Sequence, residues 1–152
     1  MCSSDLARIA ANRISEKTGC RVAFATFPSR VDGGVGLPCC ERLPYFPEHV
    51  LATLKGVKKL ILAGAESPVS FFAYPDTPGS LLPDGCETVR LSEGEEDTTE
   101  ALEALADQLG ASAGHYKTSK SIDIELPAGS LSTGSIASVI AALLPEGAIV
   151  CG

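Results

Sequence analysis

The chain has 152 residues, enough for one domain with a full core and too few for two of ordinary size. Its 45% hydrophobic and 20% charged content is that of a globular protein and excludes a disordered chain. A formal net charge of −7 argues against nucleic acid as the main partner, because phosphate contacts need clustered Lys and Arg. No apolar run approaches the ~20 residues that cross a bilayer, and no basic segment followed by an apolar one opens the chain. The expectation is a cytoplasmic protein with no membrane partner.

From Ser4 to Lys17, the residues Leu6, Ile9, Ala10, Arg13 and Ile14 trace one helical stripe, with Ser4 or Asp5 to cap it and Gly19 to stop it. "CRVAFATF" (20–27) has the β-branched and aromatic content of a buried strand and ends at Pro28. Seven Pro and Gly residues between 28 and 47 predict a long loop. Pro47 then opens a short helix with Val50, Leu51 and Leu54 on one face before Gly56. "VKKLILAGA" (57–65) reads as a central parallel strand covered on both faces, and "CETVRL" (86–91) as the next strand, nearer an edge. Asp97 and Glu100 have capping-box spacing, and Leu102, Leu105 and Leu109 follow at helical intervals up to Gly110.

Strands alternating with helices predict an α/β fold: a Rossmann-like parallel sheet with helices on both faces, incomplete because the first strand is missing. Residues 111–129 lack periodicity and read as a linker. Ile136, Val139, Ile140, Leu143 and Leu144 then form a further apolar stripe, followed by a short strand at 148–150. A single helix and strand cannot bury a core of their own. The expected division is therefore a partial domain over 1–110, a linker over 111–129 and the start of another domain over 130–152, both ends of the chain looking cut.

Few residues point to chemistry. Six cysteines (Cys2, Cys20, Cys39, Cys40, Cys86 and Cys151) show no CxxC pair, and with only His49 and His115 beside them a zinc site is weakly signalled. "DGGVG" (32–36) lacks the third glycine and the following helix of a dinucleotide fingerprint and reads as a surface turn. Glu93, Glu95, Glu96 and Asp97 precede a helix, where the macrodipole favours negative charge. No nucleophile–base spacing and no P-loop appears. In an open parallel sheet ligands lie beyond the carboxyl ends of strands, which makes Gly64, Ala65, Glu66 and Ser67 the candidate cofactor-binding residues. Phe71, Phe72 and Tyr74 follow as an apolar wall or as core cover.

The stretch "PYFPEHVLATLKGVKKLILAGAESPVSFFAYPDTPGSLLPDG" (44–85) resembles the central domain of thiamine diphosphate-dependent enzymes of the acetolactate synthase large-subunit type, "PVSFFAYP" being its most specific block. "EEDTTEALEALADQLGA" (95–111) is similar to the late helix of that domain, and "LPAGSLSTGSIASVIAALLPEGAIV" (126–150) to the entrance of the C-terminal, diphosphate-binding domain. The resemblance implies a homo-oligomeric enzyme whose flanking domains, absent here, bind thiamine diphosphate and Mg²⁺ and act on 2-keto acids, with the central domain as scaffold and possible nucleotide holder. It also implies no catalytic residue in this piece: the only asparagine is Asn12, so the Asn-Asn metal segment cannot occur, and no Gly-Asp-Gly is present. In true acetolactate synthases the central domain holds FAD with a Gly-x-Arg-x-Asp pattern. Here Gly64 to Pro68 lacks the arginine and the aspartate, which counts against FAD. The alternative is a free-standing Rossmann-like nucleotide-binding module without catalysis.

Overall fold

The computed structural model describes residues 5–28, 30–72, 75–93 and 95–150. The chain divides into two compact units, Met1–Ser119 and Lys120–Gly152.

In the first unit, helix α1 spans Asp5–Thr18 and ends where Gly19 turns left-handed at φ 75°, its amide donating to the Ser15 carbonyl at 2.7 Å. The buried face is Ala7, Arg8, Ala10 and Ile14, one position round from the expected stripe, and Leu6 is exposed. The cause is the partner helix α3, Thr98–Gln108, which presents Leu102 and a fully buried Ala106. Alanines on both helices let the backbones approach where Leu6 would hold them apart. Ala111, Ala63, Leu91 and Leu105 complete this first core. Arg13 locks the pair from the side, donating through Nη2 and Nε to the Ala111 carbonyl at 2.6 and 3.2 Å and through Nη2 to Asp107 at 3.0 Å.

Strand β1 (Ala23–Phe24) pairs in parallel with β2 (Glu41–Arg42), so the expected strand over 20–27 is short and the expected loop over 28–47 contains a strand. Helix α2 (Pro47–Leu54) starts on Pro47, as proline at the first helical position favours, and buries Val50 and Leu54 against Leu81 in a second core. Strand β3 (Lys59–Leu62) pairs in parallel with β4 (Glu87–Arg90), in the register Lys59↔Glu87 to Leu62↔Arg90. The fold is thus mixed α/β with short parallel sheets and helices, as a Rossmann-like fragment requires, but among the described residues the sheet is two separate pairs. Parallel pairs need a long crossover, usually a helix. Here residues 63–86 cross from β3 to β4 with no helix among the described residues.

In the second unit, helix α4 (Thr133–Leu143) is closed at its start by a reciprocal Ser132–Ser135 capping box, Ser135 N donating to Ser132 Oγ at 3.1 Å and Ser132 N to Ser135 Oγ at 2.8 Å. None of its residues is buried. Residues 148–150, expected as a strand, are irregular. No helix among the described residues is long and apolar enough to cross a membrane.

Candidate ligand crevice at the strand ends

The side-by-side register of β3 and β4 brings their carboxyl ends together. Ala63 still packs on the first core. Gly64 then turns the chain with φ 60°, a conformation in which a side chain crowds its own carbonyl, and Ala65, Glu66 and Ser67 follow beside the end of β4. The four candidate residues do lie beyond a parallel strand, but Glu66 reaches across to Arg90. The guanidinium holds both carboxylate oxygens, Nη2 to Oε2 at 2.7 Å and Nη1 to Oε1 at 3.4 Å. The hydrogen bonds from Arg90, and then its charge, hold the Glu66 carboxyl below the usual carboxylate range; the same contacts raise Arg90. Both groups are solvated, so the pair orients the turn more than it stabilises the fold. Arg90→Ala is expected to move the Glu66 titration upward toward its ordinary value with little change in melting, which carboxyl chemical shifts followed against pH would record. An unmoved titration would show that the pair does not form in solution.

The start of α3 is filled as well. Asp97 caps it, accepting from the amides of Thr99 at 2.7 Å and Glu100 at 3.3 Å, and Glu96 accepts from the Glu93 amide at 2.8 Å. The acidic run therefore serves its own helix start. Beneath it the buried hydroxyls of Ser92 and Thr98, 2.7 Å apart, tie the end of β4 to the first turn of α3.

Residues 68–81 leave the crevice and fold back on themselves. An isolated antiparallel bridge joins Val69 and Ser80, with Ser70 N donating to Gly79 O at 2.8 Å and Leu81 N to Pro68 O at 3.1 Å. Phe71 and Phe72 stand on this excursion; Tyr74, the third expected wall residue, lies outside the described residues. The phenylalanines meet rings that sequence reasoning did not place there. Phe27, beyond β1, is 4.9 Å from Phe71 between centroids, and Tyr45, beyond β2, is 5.9 Å from Phe27, 6.4 Å from Phe71 and 6.2 Å from Phe72. Phe46 stands against Tyr45 at 5.2 Å and against His49 at 6.0 Å. The available signal was "PYFP" and "ATFP", aromatic residues in uncharged, proline-bounded stretches. All five rings are exposed.

The remaining candidates are not drawn into a site. The Gly-rich turn at 32–36 is tethered: Arg8 donates through Nη1 to the Asp32 carbonyl and through Nη2 to Asp5 at 2.8 Å, Arg30 pairs with Asp32, and Gly36 N donates to Ser119 O at 3.1 Å. Cys20, Cys39, Cys40 and Cys86 are free thiols, Cys40 accepting from Asn12 Nδ2 at 3.1 Å, while Cys2 and Cys151 lie outside the described residues. Among the described residues no three His, Cys, Asp or Glu gather as a ligand set.

No family model matches the chain, and no solved structure matches it significantly. Over 143 residues, 93% of its length, it is 49% identical to a protein of Mycobacterium tuberculosis named "Putative acetolactate synthase large subunit IlvX". The chain spans 27% of the length of that relative. The resemblance to the acetolactate synthase large-subunit type is thereby borne out: over 93% of its length the chain is similar to part of such a protein.

Proposed function

We propose that the chain is the middle of a thiamine diphosphate-dependent, acetolactate synthase-like subunit, a homo-oligomeric cytoplasmic enzyme that decarboxylates a 2-keto acid and joins the product to a second carbonyl compound. Residues 1–110 form part of its central domain, 111–129 a linker, and 130–152 the opening of the diphosphate-binding domain. The observation that carries this reading is the 49% identity along 93% of the chain.

The bound coenzyme supplies a thiazolium that stabilises a carbanion. The residues of this chain do not fit that coenzyme or its Mg²⁺. The sole asparagine, Asn12, gives its amide to the Arg8 carbonyl and the Cys40 sulfur, and the described residues gather no ligand set. Nor does the Gly64–Ser67 turn fit a flavin diphosphate, because Glu66 puts a carboxylate at the crevice and takes Arg90 for itself. The same geometry disfavours a free-standing nucleotide module. No step of the reaction is assigned to these residues; their part is to hold the flanking domains in place.

Helix α4 supports the division into domains. Ile136, Ile140, Leu143 and Leu144 are all exposed on a properly capped helix, which is how a helix stands when the sheet it covers belongs to other polypeptide. Its amides are expected to exchange quickly in the 152-residue chain and slowly in the intact subunit; strong protection in the short chain would count against the division.

Two constructions test the activity. The polypeptide of the uninterrupted reading frame around these residues should form acetolactate from pyruvate with thiamine diphosphate and Mg²⁺, and the 152-residue chain should form none. Turnover by the short chain, or a reading frame without flanking catalytic domains, would overturn the proposal.

A further inference from the structure

The chain carries eight aromatic residues of the Phe and Tyr types, and the structure gathers five of them away from both cores. Phe27, Tyr45, Phe46, Phe71 and Phe72 come from three segments, beyond the carboxyl ends of β1, β2 and β3, and each stands 43–57% exposed. The segments that carry them, 25–28, 43–47 and 67–75, contain no charged residue. Clustered aromatic side chains without charge mark the centre of a protein–protein contact, where large rings exclude water and lose little side-chain entropy.

We propose that this aromatic patch is the docking surface for another domain of the same subunit, which covers it with an apolar, uncharged face. The inference rests on reading the chain as part of a larger subunit and names the surface through which that part is held. Two observations choose this occupant. The relative is long enough that this chain spans only 27% of it, so most of the polypeptide that would pack on these residues lies outside them. Among the described residues the rings leave no slot for a flat ligand between them. Tyr45 and Phe71 are near parallel, at 22°, and their centroids are 6.4 Å apart, less than the about 7 Å that a ring between them needs at ordinary carbon contacts. The other pairs meet at 54–86°, edge to face or tilted, and so already satisfy one another.

The test is hydroxyl-radical labelling of the intact subunit encoded by the surrounding reading frame, beside the 152-residue chain. Phe27, Tyr45 and Phe71 should be oxidised in the short chain and should lose most of that labelling in the intact subunit without any added ligand. Equal labelling in both would overturn the docking surface while leaving the proposed function standing. Protection that appears only on adding an adenine nucleotide would overturn it in favour of a ligand site. A reading frame that ends at residues 1 and 152 would remove the occupant and the proposed function together. As a second measurement, Phe27→Asp with Phe71→Asp should leave the melting of the short chain nearly unchanged and lower that of the intact subunit by several degrees. An unchanged melting temperature in the intact subunit would contradict the docking.

Discussion

Ala106→Asp is expected to abolish the cooperative melting of the first unit or to lower its midpoint by about 10 °C or more, read by circular dichroism. Ala106 is wholly inaccessible, on the face of α3 that packs on the alanine face of α1. A carboxylate there would be buried in the helix interface, and the guanidinium of Arg13 is already engaged with Asp107 and the Ala111 carbonyl. Leaving a polar or charged group buried and unpaired costs several kcal/mol, against a total stability of about 5–15 kcal/mol for a domain. Burial would raise the pKa of the new carboxyl above its unfolded value, so the deficit is greatest above the folded pKa and shrinks as pH falls through it. Ala104, two residues earlier on the exposed face of α3, is the control. Ala104→Asp should cost no more than about 0.7 kcal/mol, the difference in helix propensity. If both variants melt alike, the α1–α3 packing described here is wrong.

The parts legible in the sequence were those set by local rules. Gly19 and Gly56 end α1 and α2 because both sit at positive φ, and Pro47 opens α2 where its missing amide costs nothing. Asp97 caps α3 with its own carboxylate, and the apolar run at 57–65 holds a parallel strand, but one limited to Lys59–Leu62 and not covered on both faces, since Ile61 is 51% exposed. What escaped was set by partners distant in sequence. Which side of α1 is buried depends on α3, more than 80 residues away, and small residues facing small residues outvoted Leu6. Strand β2 has only Glu41 and Arg42, a charged pair that no propensity assigns to a strand; it exists because β1 offers it a ladder.

The four candidate residues follow β3, but the contacts they make were not legible. Glu66 reads as a solvated acid until Arg90, 24 residues later, is brought beside it by the β3–β4 register. The aromatic patch shows the same limit more strongly: each ring alone is ambiguous between core and surface, and only the assembled fold shows five of them meeting outside both cores.

That patch depends on one buried leucine, and Leu81→Ala is the second substitution expected to have a large effect. Leu81 is 2% exposed and closes the base of the 68–81 excursion against Val50 and Leu54 of α2, while its amide holds the Pro68 carbonyl. Removing the side chain should cost about 2–5 kcal/mol, the transfer of its methyl and methylene groups plus the cavity left in a core of three buried residues. The loss should be uneven. The first core does not touch Leu81, so α1 and α3 keep their packing, whereas the amides of Ser70 and Leu81 lose the geometry of their cross-bridge bonds and exchange with solvent many times faster. Amide exchange by mass spectrometry separates the two regions. Fast exchange confined to 68–81 and α2 would show that the second core alone positions Phe71 and Phe72. Uniform acceleration across α1 and α3 would show that the two cores melt as one, and with that the excursion would lose its separate anchor.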